Sequence, residues 1–190
     1  MPIDKFLAVF PGVFIKPAQT WLVLKSDTTQ TIKFFWVLGL PFILAGAFGR
    51  ALSDQNIEKF VDSPFLLLFL IHFLAHLLTL CGGSWMIARL AGSYSLRPGF
   101  ERVFKLSLTA YIPFLLSQLF TGFVWLLHWL PFAGLVFSVF LFWNGSGNVL
   151  QIPRNRLAGF TLLSFFVFLG IGFLGLYLFR MIIFAPVTQN

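Results

Sequence analysis

The chain has 190 residues, of which 58% are hydrophobic, 19% aromatic and 10% charged, with a mean hydropathy of +0.91. A soluble domain carries about 25% charged residues and covers itself with them, so a soluble globular fold is excluded and a polytopic membrane protein remains. The 27 Phe exceed what a small aqueous core needs but are at no disadvantage against acyl chains.

The first 30 residues carry Phe6, Phe10, Val13 and Phe14 on one helical face and Lys5 and Lys16 elsewhere. This pattern predicts an interfacial amphipathic segment, not a crossing. Pro11-Gly12 divides it, and Pro17 opens its second piece, which contains Trp21. Asp4, Pro11 and the absence of a continuous apolar run argue against a signal peptide.

Five spans follow, read from the gaps between charges at about 20 residues per crossing. The first runs roughly from Phe34 to Gly49, between Lys33 and Arg50, and the second from Phe65 to Ile87. From Leu106 to Pro153 no charge interrupts the sequence, a length for two helices with a tight hairpin at His128 to Pro131. The third span is therefore placed at Leu106 to Leu127, the fourth at Phe132 to Leu150, and the fifth at Leu157 to Leu178. The expected organisation is an N-terminal segment over 1–30, an all-α five-helix transmembrane domain over 31–182 and a short tail over 183–190.

Lys5, Lys16, Lys25, Lys33, Arg89, Arg97, Arg102, Lys105, Arg154 and Arg156 share one side, against Arg50, Lys59 and Arg180 on the other. The positive-inside rule then places the N-terminus in the cytoplasm and the C-terminus across a cytoplasmic (inner) membrane. Trp36, Trp85 and Trp143 fall at inner span ends, and Trp125 and Trp129 flank the outer hairpin, the headgroup levels that indole prefers.

Each span carries a stripe of small or weakly polar residues, the face expected against neighbouring helices. Examples are Gly46 and Gly49 in the first, Ser117 and Thr121 in the third, Gly134 and Ser138 in the fourth, and Thr161 and Ser164 in the fifth. Close packing explains such stripes, and a polar path is the competing reading. The acids Asp4, Asp27, Asp54, Glu58, Asp62 and Glu101 all fall outside the expected spans. Ion-coupled transport and carboxylate catalysis therefore lack their residues, and no catalytic residue is assigned.

His72 and His76, four apart, share one helical face. A structural pair bonded to a neighbouring helix is favoured; as ligands they would hold a haem or a chlorophyll-type cofactor axially, and His128, a further candidate, is read at the outer interface chiefly as an ordinary solvated histidine. No Cys or acidic partner completes a zinc set, and Cys81 stands alone within its span. The basic face follows from topology, with attraction to anionic lipid of about 1 kcal/mol per residue as the sharper reading. No folded platform for nucleic acid is present.

Three local patterns resemble the Ypt-interacting protein (Yip) domain family of five-span membrane proteins. They are Pro17-x-x-Thr20-Trp21; Gly99-Phe100-Glu101-Arg102-Val103-Phe104-Lys105 leading to Ala110-Tyr111-x-Pro113; and Gly147-x-x-x-x-Ile152-Pro153-x-x-Arg156. The resemblance implies a non-enzymatic membrane factor of the compact bacterial type. Eukaryotic relatives are associated with Rab-type GTPases through a long cytosolic N-terminal region; the segment here is about 30 residues, so GTPase binding is not carried over. The expected function is an integral membrane scaffold or accessory subunit binding membrane lipids and other membrane proteins. A cofactor-bearing subunit of an electron-transfer or photosynthetic assembly, with His72 or His76 as ligand, and a small-solute or lipid transporter are the alternatives.

Overall fold

The computed structural model describes residues 11–26, 29–56, 63–94, 96, 98–124 and 127–184, with side chains to 181. Expectations resting on Phe6, Phe10, Asp27, Glu58, Lys59, Asp62, Arg97 and Trp125 lie outside the described residues. A helical turn over 11–15 precedes α1 (Pro17–Ser26). Then come α2 (Thr31–Gln55), α3 (Phe65–Ser93), α4 (Phe100–Phe123), α5 (Leu130–Val149) and α6 (Arg154–Phe184). The five helices from α2 to α6 are each long and apolar enough to cross a membrane, and no strand occurs among the described residues. The end of the bundle where α2 begins is called proximal here, and the end where it finishes distal.

The helices overrun the expected spans at most ends. Charge gaps mark the hydrocarbon, whereas backbone hydrogen bonding carries a helix on through the headgroup region. At about 1.5 Å per residue α6 is roughly 46 Å long, against about 30 Å of hydrocarbon. The loop between α4 and α5 falls where the His128-to-Pro131 break is expected, with Pro131 in the first turn of α5. Inside α2, Phe35–Gly39 form a π turn just before Pro41. Proline offers no N–H and crowds the preceding turn, and the widened turn takes up the mismatch.

Close approach holds α2, α4 and α5 together. A Cβ on Gly46 would lie 3.1 Å from the Leu115 carbonyl oxygen. One on Gly49 would strike the Gln118–Leu119 backbone, and one on Gly122 the backbone of Gly49. Gly134 of α5 sits against Ser117 and the Pro113 carbonyl in the same way. In a bilayer, where apolar burial gives little drive between helices, such contacts supply the packing energy. The helix runs on through Pro113, and the next residue, Phe114, donates its N–H to Ser138 Oγ of α5 at 3.3 Å. At the proximal turn between α5 and α6 the chain reverses through Gln151, whose φ is 59°.

One expectation gains detail and one needs correction. The N-terminal segment does not cross the bundle, and most of its described residues are exposed, but Val13 and Trp21 are fully buried against the bundle. The indole of Trp21 fills the notch left by Gly145. Lys105, expected in a loop, is buried in the second turn of α4, where Nζ donates to the Thr29 carbonyl at 2.6 Å and lies over the Phe34 ring. The segment is thus docked through a core tryptophan and a buried ammonium. By contrast Trp36, Trp85, Trp129 and Trp143 are exposed, as residues at the lipid interface should be.

Gly122→Val is expected to destabilise the bundle by about 2 kcal/mol through overpacking, whereas Gly92→Ala, where nothing lies within 4 Å of a built Cβ, should leave it unchanged. Thermal unfolding of the two variants in one detergent checks this; equal midpoints would contradict the α2–α4 crossing.

Candidate functional site

A cavity of about 260 Å³ lies among α3, α4, α5 and α6, with Arg50 of α2 at its distal end. Most of its polar residues come from the small-residue stripes, His72, His76 and Thr79 on α3 and Ser107 on α4, while Tyr111 and Gln118 of α4 lie outside the expected stripe. Ser138 on α5 and Thr161 and Ser164 on α6 complete them, and the rest of the wall is largely Phe, Leu and Ala. Helical spacing turns each stripe inward, because its residues carry the least apolar surface for lipid.

Both histidines are engaged. Gln118 Oε1 can only accept, so His76 Nε2 donates to it at 3.0 Å, and Nδ1 accepts the Tyr111 hydroxyl at 3.0 Å. The imidazole also meets Tyr111 and Phe114 edge-on. His72 Nε2 donates to Asp54 Oδ2 at 2.9 Å. An axial role at either of these His76 nitrogens, or at His72 Nε2, would require that nitrogen to release its partner. The third candidate, His128, is exposed in the distal loop, away from the cavity lining.

Asp54 overturns the expectation that every carboxylate lies outside the spans. It occupies the last turns of α2 with no solvent exposure. Arg180 donates to its Oδ2 at 2.6 Å, and Arg50, one turn back, lies 3.1 Å from Oδ1. Sequence alone ended the first span at Gly49 because Arg50 follows; the helix continues, and Arg50, His72 and Arg180 together surround the acid. The cluster ties α2, α3 and α6 at their distal ends. A buried carboxylate of this kind is tolerated only with such partners, and the sequence signal for it was the i, i+4 spacing of Arg50 and Asp54. The absence of acidic residues from the bundle therefore no longer argues against a solute carrier.

Several stripe hydroxyls are bonded locally to the backbone: Thr79 to Ala75, Thr109 to Lys105, Ser117 to Phe114 and Thr121 to Ser117. These are structural in the ordinary sense of a membrane helix. Ser107, Thr161 and Ser164, buried in the cavity lining, have no hydrogen-bond partner among the described residues.

Asp54→Ala should cost about 3 kcal/mol, since two guanidinium groups and His72 lose their acceptor; Arg180→Ala, at a partly exposed position, should cost about 1 kcal/mol. His76→Phe, which keeps ring volume but strands Gln118 and Tyr111, should cost about 2 kcal/mol. Unfolding midpoints in detergent rank the three, and an Asp54→Ala protein as stable as the unaltered chain would refute the role given to the cluster.

No curated protein and no solved structure matches the chain. The order of the spans, the docked Pro17-to-Trp21 segment and the α5–α6 turn nevertheless occupy the places that the local patterns assign them. The family model of the Yip1 domain matches residues 12–177, covering α1 to most of α6, and the chain belongs to the Yip1 domain family.

Proposed function

We propose that the protein is a non-catalytic scaffold or accessory subunit of a cytoplasmic-membrane complex, with its proximal, basic side in the cytoplasm. The observation that carries this reading is the exposure of α6. Only 11% of its most apolar window is buried within the chain, the smallest share of the five helices. Its free face presents Leu162, Phe166, Gly170 and Leu174 at successive turns. A helix-interior glycine costs about 1 kcal/mol relative to alanine, and Gly170 has nothing within 4 Å of a built Cβ. It is not required by packing in this chain, whereas a small residue between large ones lets a neighbouring helix approach. The exposed Arg89, Arg102, Arg154 and Arg156 on the proximal side support attraction of anionic lipid there.

A solute carrier is the second reading, favoured by the buried Asp54–His72 pair alone. Uptake into proteoliposomes above that of protein-free vesicles, lost in Asp54→Asn, would support it over the scaffold.

In mild detergent the scaffold reading expects defined membrane proteins to co-purify with the chain, and Gly170→Leu to reduce their recovery about tenfold with the unfolding midpoint unchanged. A chain that emerges alone, with or without the substitution, counts against this reading.

A further inference from the structure

The three unpartnered hydroxyls of the cavity come from two helices, α4 and α6, and line its proximal part. Ser107 and Thr161 are each seven residues from the proximal start of their helix, about 10 Å, and Ser164 is one turn further. They are 2%, 2% and 1% exposed, and a serine or threonine in a membrane helix ordinarily bonds back to its own backbone. Leaving three such groups unsatisfied would cost about 1–3 kcal/mol each. Just below them the rings of Phe142 and Phe160 stack with centroids 6.3 Å apart and close the proximal end, where α5 and α6 are joined by their short turn.

Towards the distal end the walls differ. α6 packs mainly on α3 and less on α5. The cavity residues Leu135 and Val139 of α5 and Leu169 of α6 are only partly buried, and Phe173 is 69% exposed. The cavity therefore has a lateral opening between α5 and α6, facing acyl chains. From Thr161 to Leu176 it follows α6 for roughly 22 Å, longer than the roughly 15 Å of one leaflet's hydrocarbon. Among the described lining residues Arg50 alone is formally charged, and it stands at the far end beside Asp54. An ionised group at the level of the hydroxyls would have no counter-charge and would cost several kcal/mol.

We infer that this cavity binds a neutral, single-chain amphiphile whose carbonyl or hydroxyl oxygen hydrogen-bonds Ser107, Thr161 and Ser164 and whose chain leaves between α5 and α6. Hydroxyls both donate and accept, so the site takes a fatty alcohol, a neutral ester or the carbonyl of a prenylated quinone, and it discriminates against charged heads. The site is separate from the α6 face assigned to protein partners, so each can fail without the other.

The test uses the full chain in phosphatidylcholine proteoliposomes with hexadecanol bearing a diazirine near its hydroxyl. Labelling should saturate, map by mass spectrometry to α4 around Ser107 and α6 around Thr161–Ser164, and be displaced by unlabelled hexadecanol but not by hexadecylphosphocholine. Displacement by a prenylated benzoquinone would assign the quinone source within the same chemistry, and its failure with hexadecanol still competing would assign the alcohol or ester source. Thr161→Val with Ser164→Ala should lower labelling about tenfold. Val139→Trp, which narrows the opening and touches none of the hydroxyls, should do the same, and Gly170→Leu should not. Labelling that rises without saturation, spreads over exposed faces, yields equally to hexadecylphosphocholine or persists in both cavity variants would overturn the proposal and leave the hydroxyls to water.

Discussion

The fold depends on the enclosure of α4. In water, apolar faces are driven together by solvent; in hydrocarbon they are not, and helices associate where their surfaces approach closely enough for dense van der Waals contact. Gly46 and Gly49 bring α2 onto the α4 backbone, Gly122 returns the contact, and Gly134 seats α5 beside Pro113. As a result 72% of the most apolar window of α4 is buried, against 11% of that of α6. Trp21 and Lys105 add the N-terminal segment to the same centre.

The distal cluster around Asp54 follows from that enclosure. Once α2 and α4 are locked, the end of α2 lies inside the bundle, and an acid there must be compensated. Arg50 comes from its own helix, His72 from α3 and Arg180 from α6, so one carboxylate gathers three elements. It is also the point at which α6, attached chiefly by one face, is secured to α2. The polar interior below it divides into two kinds. His76, Tyr111 and Gln118 satisfy one another, whereas Ser107, Thr161 and Ser164 turn towards the cavity. The first is architecture, and the second is the basis of the ligand proposal made above.

Membership of the Yip1 domain family agrees with a chain that concentrates its chemistry in packing, and the scaffold reading builds on that. The exposed ridge of α6 and the enclosed cavity behind it offer surfaces of different character. The ridge is apolar with a glycine between large side chains, while the cavity is apolar with a localised polar floor. Both exist because α6 is only partly incorporated into the bundle.

Five crossings, the hairpin before Pro131, the exposed tryptophans and the inward stripes were legible in the sequence, because bilayer thickness fixes the length of an apolar run and helical periodicity fixes which residues share a face. The stripes also contained most of the cavity's polar residues. Position along the chain could not reveal that Asp54 is buried, that Trp21 belongs to the core, or that Lys105 bonds Thr29, since each depends on a partner distant in sequence. Nor could it separate hydroxyls that bond their own helix from those, such as Ser107, Thr161 and Ser164 in the cavity, that do not. Residue order along the chain is enough for the membrane architecture and its helical faces; which charges those faces enclose and where a cavity remains follow from the packing of helices against one another.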